Sequence, residues 1–393
     1  MHIVIIFYNI GGYHAARLRA AQAVCQQKGW NFSAVQVTDS TNEHPWGNVK
    51  QEITFPLKTL LPVATTPPST DRTSRSSVPA SLLPSCLDNL QPDIVAIPGW
   101  GFPVSRTALS WCKHNHVPAI LMSESKCNDE RRLWWKEQLK SWLYIRKYDA
   151  ALVGGELHRD YLIKLGFPRE RIFLGYDAVD NDYFAQYAEA ARLDPIAAKL
   201  RQTRIPSRPY FLVVTRLLKR KNVSRMIEAF ADYRKQVGDD KAWDLVICGS
   251  GEEEISIRNL ILKEELNACV HLPGFITYQA IRDWYGLANA FVHPAIQEQW
   301  GLVVNEACAA GLPVLCSRTV GACNELVQDG QNGLLFEPED TQDITRTLLA
   351  IHELNLDSRI KMGNLSQTIV ANYGIERFAE GLLKAINIIL LAP

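Results

Sequence analysis

Two acids eight positions apart, Glu298 and Glu306, flank Gly301 in the segment HPAIQEQWGLVVNEA, residues 293–307 of a 393-residue chain. Glu298 falls in a loop after an apolar run, and Glu306 is expected about two turns into the helix that follows. The backbone amides of Trp300, Gly301 and Leu302 near that helix start could hold a phosphate, because unpaired N–H groups and the helix dipole favour negative charge. Acids to either side could then bind hydroxyl groups. As generic α/β sequence, either Glu alone could be a helix-surface charge.

A second constellation, VVTRLLKRKN, ends a predicted strand in four basic residues: Arg216, Lys219, Arg220 and Lys221. A guanidinium fork beside an ammonium suits a diphosphate, through charge-assisted hydrogen bonds and neutralisation of a leaving group. The plainer reading is a solvated basic loop. A third feature, Asn9-Ile10-Gly11-Gly12, lies between the first predicted strand and a helix. Paired glycines let a backbone approach a phosphate or sugar, but such a turn also needs glycine for geometry alone, and the pattern is not G-x-G-x-x-G.

The elements that must position these residues are short apolar runs alternating with amphipathic stretches. Strands are expected at 3–7, 32–37, 94–97, 119–122, 151–153 and 172–174, with helices such as 15–26 and 106–115 between them. Mostly unalternated strands separated by helices signal a parallel sheet covered on both faces. The pattern restarts at 211–214, 245–248, 270–272, 290–293, 314–316 and 333–336. The fold class is therefore α/β, with two Rossmann-like doubly wound domains, expected to face each other across a cleft at the carboxyl ends of their strands. The expected division is an acceptor-binding domain at 1–185, a linker at 186–208 containing Pro206, a nucleotide-sugar-binding domain at 209–374, and a helix at 375–393 that could pack back on the first domain. The Ser-, Thr- and Pro-rich stretch 64–85 reads as a mobile loop.

Taken together, TRLLKRKN, ICGSGEEE, LPGF, HPAIQEQWGLVVNEACAAGLPVLCS and GACNELVQDGQNGLLF resemble the retaining glycosyltransferases of family 4, the two-domain GT-B proteins also called glycosyl transferases group 1. The resemblance covers nearly the whole second domain, and its paired-glutamate motif is met by Glu298 and Glu306. It implies that Arg216 and Lys221 grip a donor diphosphate, Glu298 binds hydroxyls of the transferred sugar, and Glu306 holds ribose hydroxyls. The backbone at Trp300, Gly301 and Leu302 would contact phosphate and sugar. Gly11 and Gly12 would face the donor phosphates across the cleft, and Gly249 and Gly251 would lie near the nucleotide. Glu325 reads as a structural loop cap.

One departure from the family stands out. Where many members carry a His after the fourth N-terminal strand, this chain reads ILMSES, so Glu124 becomes a candidate to face the acceptor hydroxyl or the developing charge on the sugar, or else a structural acceptor. His14 and Arg17 are further acceptor-side candidates. Asp180-Asn181-Asp182 has the spacing of a metal-binding D-x-D but lies in an ordinary pre-linker segment, so no metal or other cofactor is expected. His271 and His293 read as satisfied structural histidines.

The partners expected are a nucleotide-sugar donor and a small-molecule, glycan or lipid-linked acceptor. With 42 Lys plus Arg against 42 Asp plus Glu, bulk attraction to nucleic acid is not expected. Nine scattered cysteines without a C-x-x-C read as reduced thiols in a cytoplasmic protein. No stretch reaches the roughly 18 apolar residues of a membrane span. Peripheral contact with the inner face of a membrane could come from 129–143, where Arg132, Lys136 and Lys140 would form a basic stripe beside Trp135, Leu139 and Trp142. The alternative is a core helix with a solvated basic edge.

The resulting expectation is a metal-independent glycosyltransferase that moves a sugar from a nucleotide diphosphate to an acceptor hydroxyl with retention. Its rivals are a GT-B nucleotide-sugar epimerase and a non-catalytic sugar-nucleotide-binding subunit.

Overall fold

Strands whose side chains are covered on both faces need no polar alternation, and the first strand shows this directly. In β1 (His2–Phe7), every residue from Ile3 to Phe7 is buried. The computed structural model describes residues 1–39, 52–61, 82–129 and 132–391. Most of the expected mobile loop, 64–81, lies outside the described residues; Leu82 to Ser85 instead open α2 (Leu82–Leu90).

Around β1 runs a seven-stranded parallel sheet with β2 (Asn31–Thr38), β3 (Leu57–Leu61), β4 (Ile94–Pro98), β5 (Ala119–Ser123), β6 (Ala150–Val153) and β7 (Ile172–Leu174). Its spatial order is β3-β2-β1-β4-β5-β6-β7. The chain therefore leaves β1 in one direction and returns to its other side at β4. On one face, α1 (Gly12–Gln27) and α15 (Ile375–Leu390) bring Ala15, Leu18, Phe378, Leu382 and Ile386 against Ile3 and Ile5. On the other, α2, α3 (Pro103–His114) and α5 (Glu156–Lys164) cover Val4 and Ile6.

A second sheet has β8 (Tyr210–Val214), β9 (Asp244–Cys248), β10 (Val270–Gly274), β11 (Ala290–His293), β12 (Val314–Ser317) and β13 (Gly333–Phe336). All neighbours are parallel in the order β10-β9-β8-β11-β12-β13, so the reversal falls between β8 and β11. In open α/β sheets the crevice at such a reversal is where ligands bind.

The chain divides into Met1–Val179 together with Ile375–Pro393, and Asp180–Gly374. The expected linker at 186–208 is corrected by this division. Its first part belongs to α6 (Asn181–Leu193) and α7 (Pro195–Arg201) of the second unit, where α6 packs on α10 (Tyr278–Leu287). The approach is close: a Cβ on Gly286 would meet the Ala188 carbonyl at 2.7 Å. Asp180 accepts a hydrogen bond from the Tyr183 amide at 3.1 Å, so it caps α6 and gives the D-x-D spacing a structural reason.

The helix α4 (Trp134–Leu143) reverses both halves of the core-helix alternative, and of the membrane-facing one only the basic stripe. Two of the three stripe cations turn inward: Arg132 pairs with Asp129 and Glu137, and Lys140 pairs with Glu137 and donates to the Tyr161 hydroxyl at 3.0 Å. Glu137 and Ser141 are the buried residues of the helix, while Trp135, Leu139 and Trp142 face solvent. It is therefore not a core helix with a solvated basic edge. Among the described residues, no helix is long and apolar enough to cross a membrane.

Candidate active site at the sheet reversal of the second unit

The loops leaving β8 and β11 carry the two charged constellations, and backbone hydrogen bonds lock one loop to the other. The Ile296 amide donates to the Arg220 carbonyl at 2.9 Å. Asn222, in the left-handed conformation at φ 60° at the start of α8 (Val223–Val237), donates from its side chain to the carbonyls of Pro294 at 3.1 Å and Pro338 at 2.7 Å. An Asn tolerates that conformation because its short polar side chain can bond locally.

The lock places Lys221, the last residue of a 3-10 turn Lys219–Lys221, in a salt bridge with Glu298. The buried His293, at the end of β11, has its Nε2 3.2 Å from the same Glu298 carboxylate. Burial by itself would raise the Glu298 carboxyl, but Lys221 and His293 outweigh it and hold the group well below the usual carboxylate range. Burial pushes the Lys221 ammonium down, Glu298 opposes that, and the neighbouring Arg220 and Arg216 press it the same way as burial. His293 is also lowered, chiefly by burial, so it is neutral at pH 7.

Arg216 is half-buried on the loop after β8. Two glycines let its neighbours pack: a Cβ on Gly249 would lie 1.7 Å from the Thr215 carbonyl, and one on Gly251 would lie 2.3 Å from the Leu217 carbonyl. These glycines thus seat the basic loop. Gly301 adopts φ +99° as the N-cap of α11 (Leu302–Ala309), and a Cβ there would crowd Val320 at 3.1 Å and the Glu298 side chain at 3.2 Å. Trp300 is buried, its indole donating to Asn305 at 2.8 Å. Glu306 lies one turn into α11 rather than two, because the helix begins at Leu302; it is buried and accepts from the Tyr285 hydroxyl at 2.6 Å.

The loop after β12 braces the glutamate loop from behind. Val320 forms a bridge with Glu298, the Ala322 amide donates to the Trp300 carbonyl at 2.9 Å, and Thr319 donates to the Ala295 carbonyl at 2.9 Å. Its base is closed by a Cys316–Cys323 disulfide, with a Cα–Cα separation of 6.6 Å. The expectation of nine reduced thiols is corrected at this pair. The strand end and the start of a short helix bring the two residues within bonding reach, a juxtaposition no sequence spacing advertises.

In the first unit the expected residues separate into two groups. Gly11 caps α1, its amide donating to the His14 ring at 3.2 Å, while Gly12 is the first helical residue; both glycines are buried. Arg17 is not an exposed acceptor-side group: it is fully buried, donates to the Ala178 carbonyl at 2.9 Å and lies 3.8 Å from Asp177. Glu124 is half-buried just after β5. Tyr176 collects these charges: burial raises its hydroxyl far above the ordinary value, Glu124 and Asp177 add to the rise, and Arg17 opposes it. His271 bonds Asp244 at 2.8 Å, as a structural histidine would. His293 is the functional candidate that sequence reasoning set aside; its position directly before the acidic loop was the available signal. Among the described residues, no group of three or more His, Cys, Asp or Glu could hold a metal ion.

Two Rossmann-like parallel-sheet units in one chain, with basic and acidic loops meeting at a sheet reversal, define the GT-B class of fold. Residues 196–386 match the family model described as Glycosyl transferases group 1. The chain is similar to alpha-D-kanosaminyltransferase of Streptomyces kanamyceticus, 30% identical over 203 residues that span 51% of this chain and 50% of the other. The chain spans no more than half the length of the curated relatives it matches, from 15% to 50% among them. At the level of fold, a sucrose-phosphate synthase from Thermosynechococcus elongatus superposes with a TM-score of 0.77, covering 100% of both chains at 17% identity. Anabaena HepE, solved in complex with UDP, gives 0.73 at 15% identity, covering 98% of this chain and 100% of that one.

Proposed function

We propose that this protein transfers a sugar from a nucleotide-diphosphate donor to an acceptor hydroxyl, with retention of configuration and without a metal. The observation that carries the reading is the Lys221–Glu298 pair at the reversal of the second sheet, with Arg216 on the same basic loop. Lys221 is a cation whose counter-ion is a neighbouring acid, so a diphosphate can share it while Glu298 turns hydrogen-bonding capacity to the sugar hydroxyls. Arg216 supplies the second positive charge that leaving-group stabilisation without a metal requires. His293 is neutral and keeps Glu298 ionised and oriented.

In the transfer step the bond between the anomeric carbon and the diphosphate oxygen breaks as the acceptor oxygen bonds the same face of that carbon. The acceptor proton passes to the departing diphosphate. Catalysis then rests on positioning and charge stabilisation. Gly301 lets the backbone at 300–302 approach phosphate and sugar, and Glu306 is assigned to the ribose hydroxyls. Glu124, with Gly11, Gly12 and His14, is assigned to the first unit's share of donor and acceptor binding. Uridine diphosphate is the first donor base to try, because HepE is described in complex with UDP.

The test is to incubate the protein with a panel of nucleotide sugars in the presence of a chelator and follow nucleotide release with and without candidate acceptors. Acceptor-dependent release of the nucleotide supports transfer. Turnover of donor to an isomer without acceptor indicates the epimerase reading, and donor binding without any turnover indicates the non-catalytic one.

A further inference from the structure

In α4 the ordinary distribution of a surface helix is inverted. Its sole carboxylate, Glu137, is buried beneath it, shared by Arg132, Lys140 and Tyr161. Burial alone would raise that carboxyl, but Lys140, Tyr161 and Arg132 hold it below its usual range, so it stays ionised and bound. Ser141 completes the anchor by donating to the Leu165 carbonyl. Positions 137, 140 and 141 lie on one side of a helix, and 135, 139 and 142 on the other. The outward set is Trp135, Leu139 and Trp142, with Leu133 and Trp134 exposed at the start of the helix, and Trp135 and Trp142 are 63% and 69% exposed. Three exposed indoles and two exposed leucines within ten residues exceed the scattered apolar residues of an ordinary surface.

Charge identifies what covers this face. Lys136 is exposed with its ammonium 5.3 Å from the centre of the Trp135 ring, and Lys164 of α5, also exposed, lies 5.4 Å from that of Trp134. Lysine is depleted in the buried centre of protein interfaces, whereas indole rings alternating with lysine suit the headgroup layer of a bilayer. We propose that α4 docks flat on an anionic phospholipid surface, its indoles entering the headgroup boundary and Lys136 and Lys164 meeting lipid phosphates. None of the residues of this surface belongs to the groups assigned above to donor or acceptor binding.

The experiment uses the full-length chain and vesicles of phosphatidylcholine, with or without phosphatidylglycerol, separated by flotation at low salt. The protein is expected to float with the anionic vesicles. In W135S/W142S the partition is expected to fall at least about tenfold, and in K136E the preference for anionic vesicles is expected to weaken. Both variants change exposed side chains, so their thermal melts should match the parent; donor-dependent nucleotide release reads the catalytic proposal separately. A parent protein that stays in the soluble fraction with both vesicles overturns the docking, and so does a double variant that floats as well as the parent. If the tryptophan substitutions instead convert a dimer to a monomer without any vesicle binding, the face belongs to a second copy of this chain and the lipid proposal fails.

Discussion

Both units contain a glutamate held below its ordinary range by a lysine and further donors, yet the two are put to different ends. Glu298 shares one lysine and one neutral histidine at the carboxyl edge of a parallel sheet, where two loops meet at the reversal of strand order. Glu137 is shared by an arginine, a lysine and a tyrosine underneath a helix. The first has capacity to exchange partners with a ligand; the second is an anchor. A low carboxylate therefore marks a site only when its place in the fold lets a ligand reach it.

The largest expected contrast comes from Lys221→Ala. Removing a leaving-group cation should lower turnover by about a thousandfold, with circular dichroism unchanged, measured as acceptor-dependent nucleotide release. Full activity would remove the pair from the mechanism. At the anchor, Glu137→Ala should act on stability instead, leaving Arg132 and Lys140 without their shared carboxylate at a cost of about 3–5 kcal/mol in denaturant unfolding. A loss of activity without a loss of stability there would erase the distinction.

Gly301→Ala is a milder probe of the same site. A side chain at φ +99° costs about 1–2 kcal/mol. The shift it forces on Glu298 should also reduce turnover, about tenfold to a hundredfold. The smallest effect concerns acid. The Glu298 carboxyl is depressed by folding, so its stabilisation is present above the ordinary carboxylate value and is lost as pH falls through its lower folded value. His293, also lowered, loses stability in the same direction below its unfolded value. Glu298→Gln should accordingly flatten the decline of unfolding free energy on the acid side; an unchanged slope would show that Glu298 is not the carboxylate being titrated.

Much of this was legible in the chain because doubly covered strands write themselves as short apolar runs, and twelve of the strands fall on such runs. The edge strand β3 did not, since Leu57–Leu61 is only partly buried and its LKTLL carries little pattern. The charged loops of the second unit were legible because they stand beside the strands that place them. Arg17 was misjudged because its partners, Asp177 and the Ala178 carbonyl, lie far along the chain. The direction α4 faces depended equally on Tyr161, on a helix two elements away, so spacing could name its two faces but not choose the buried one.

The return of α15 to the first sheet has a consequence for how the molecule is made. Asp180–Gly374 is a continuous stretch, whereas the first unit is completed only by residues from Ile375 onward. A nascent chain that has emerged as far as Gly374 holds everything the second unit needs, while the hydrophobic layer over Ile3 and Ile5 still lacks Phe378, Leu382 and Ile386. The half whose synthesis begins first is therefore the half that finishes last, and its maturation waits until residues 375–390 have been made.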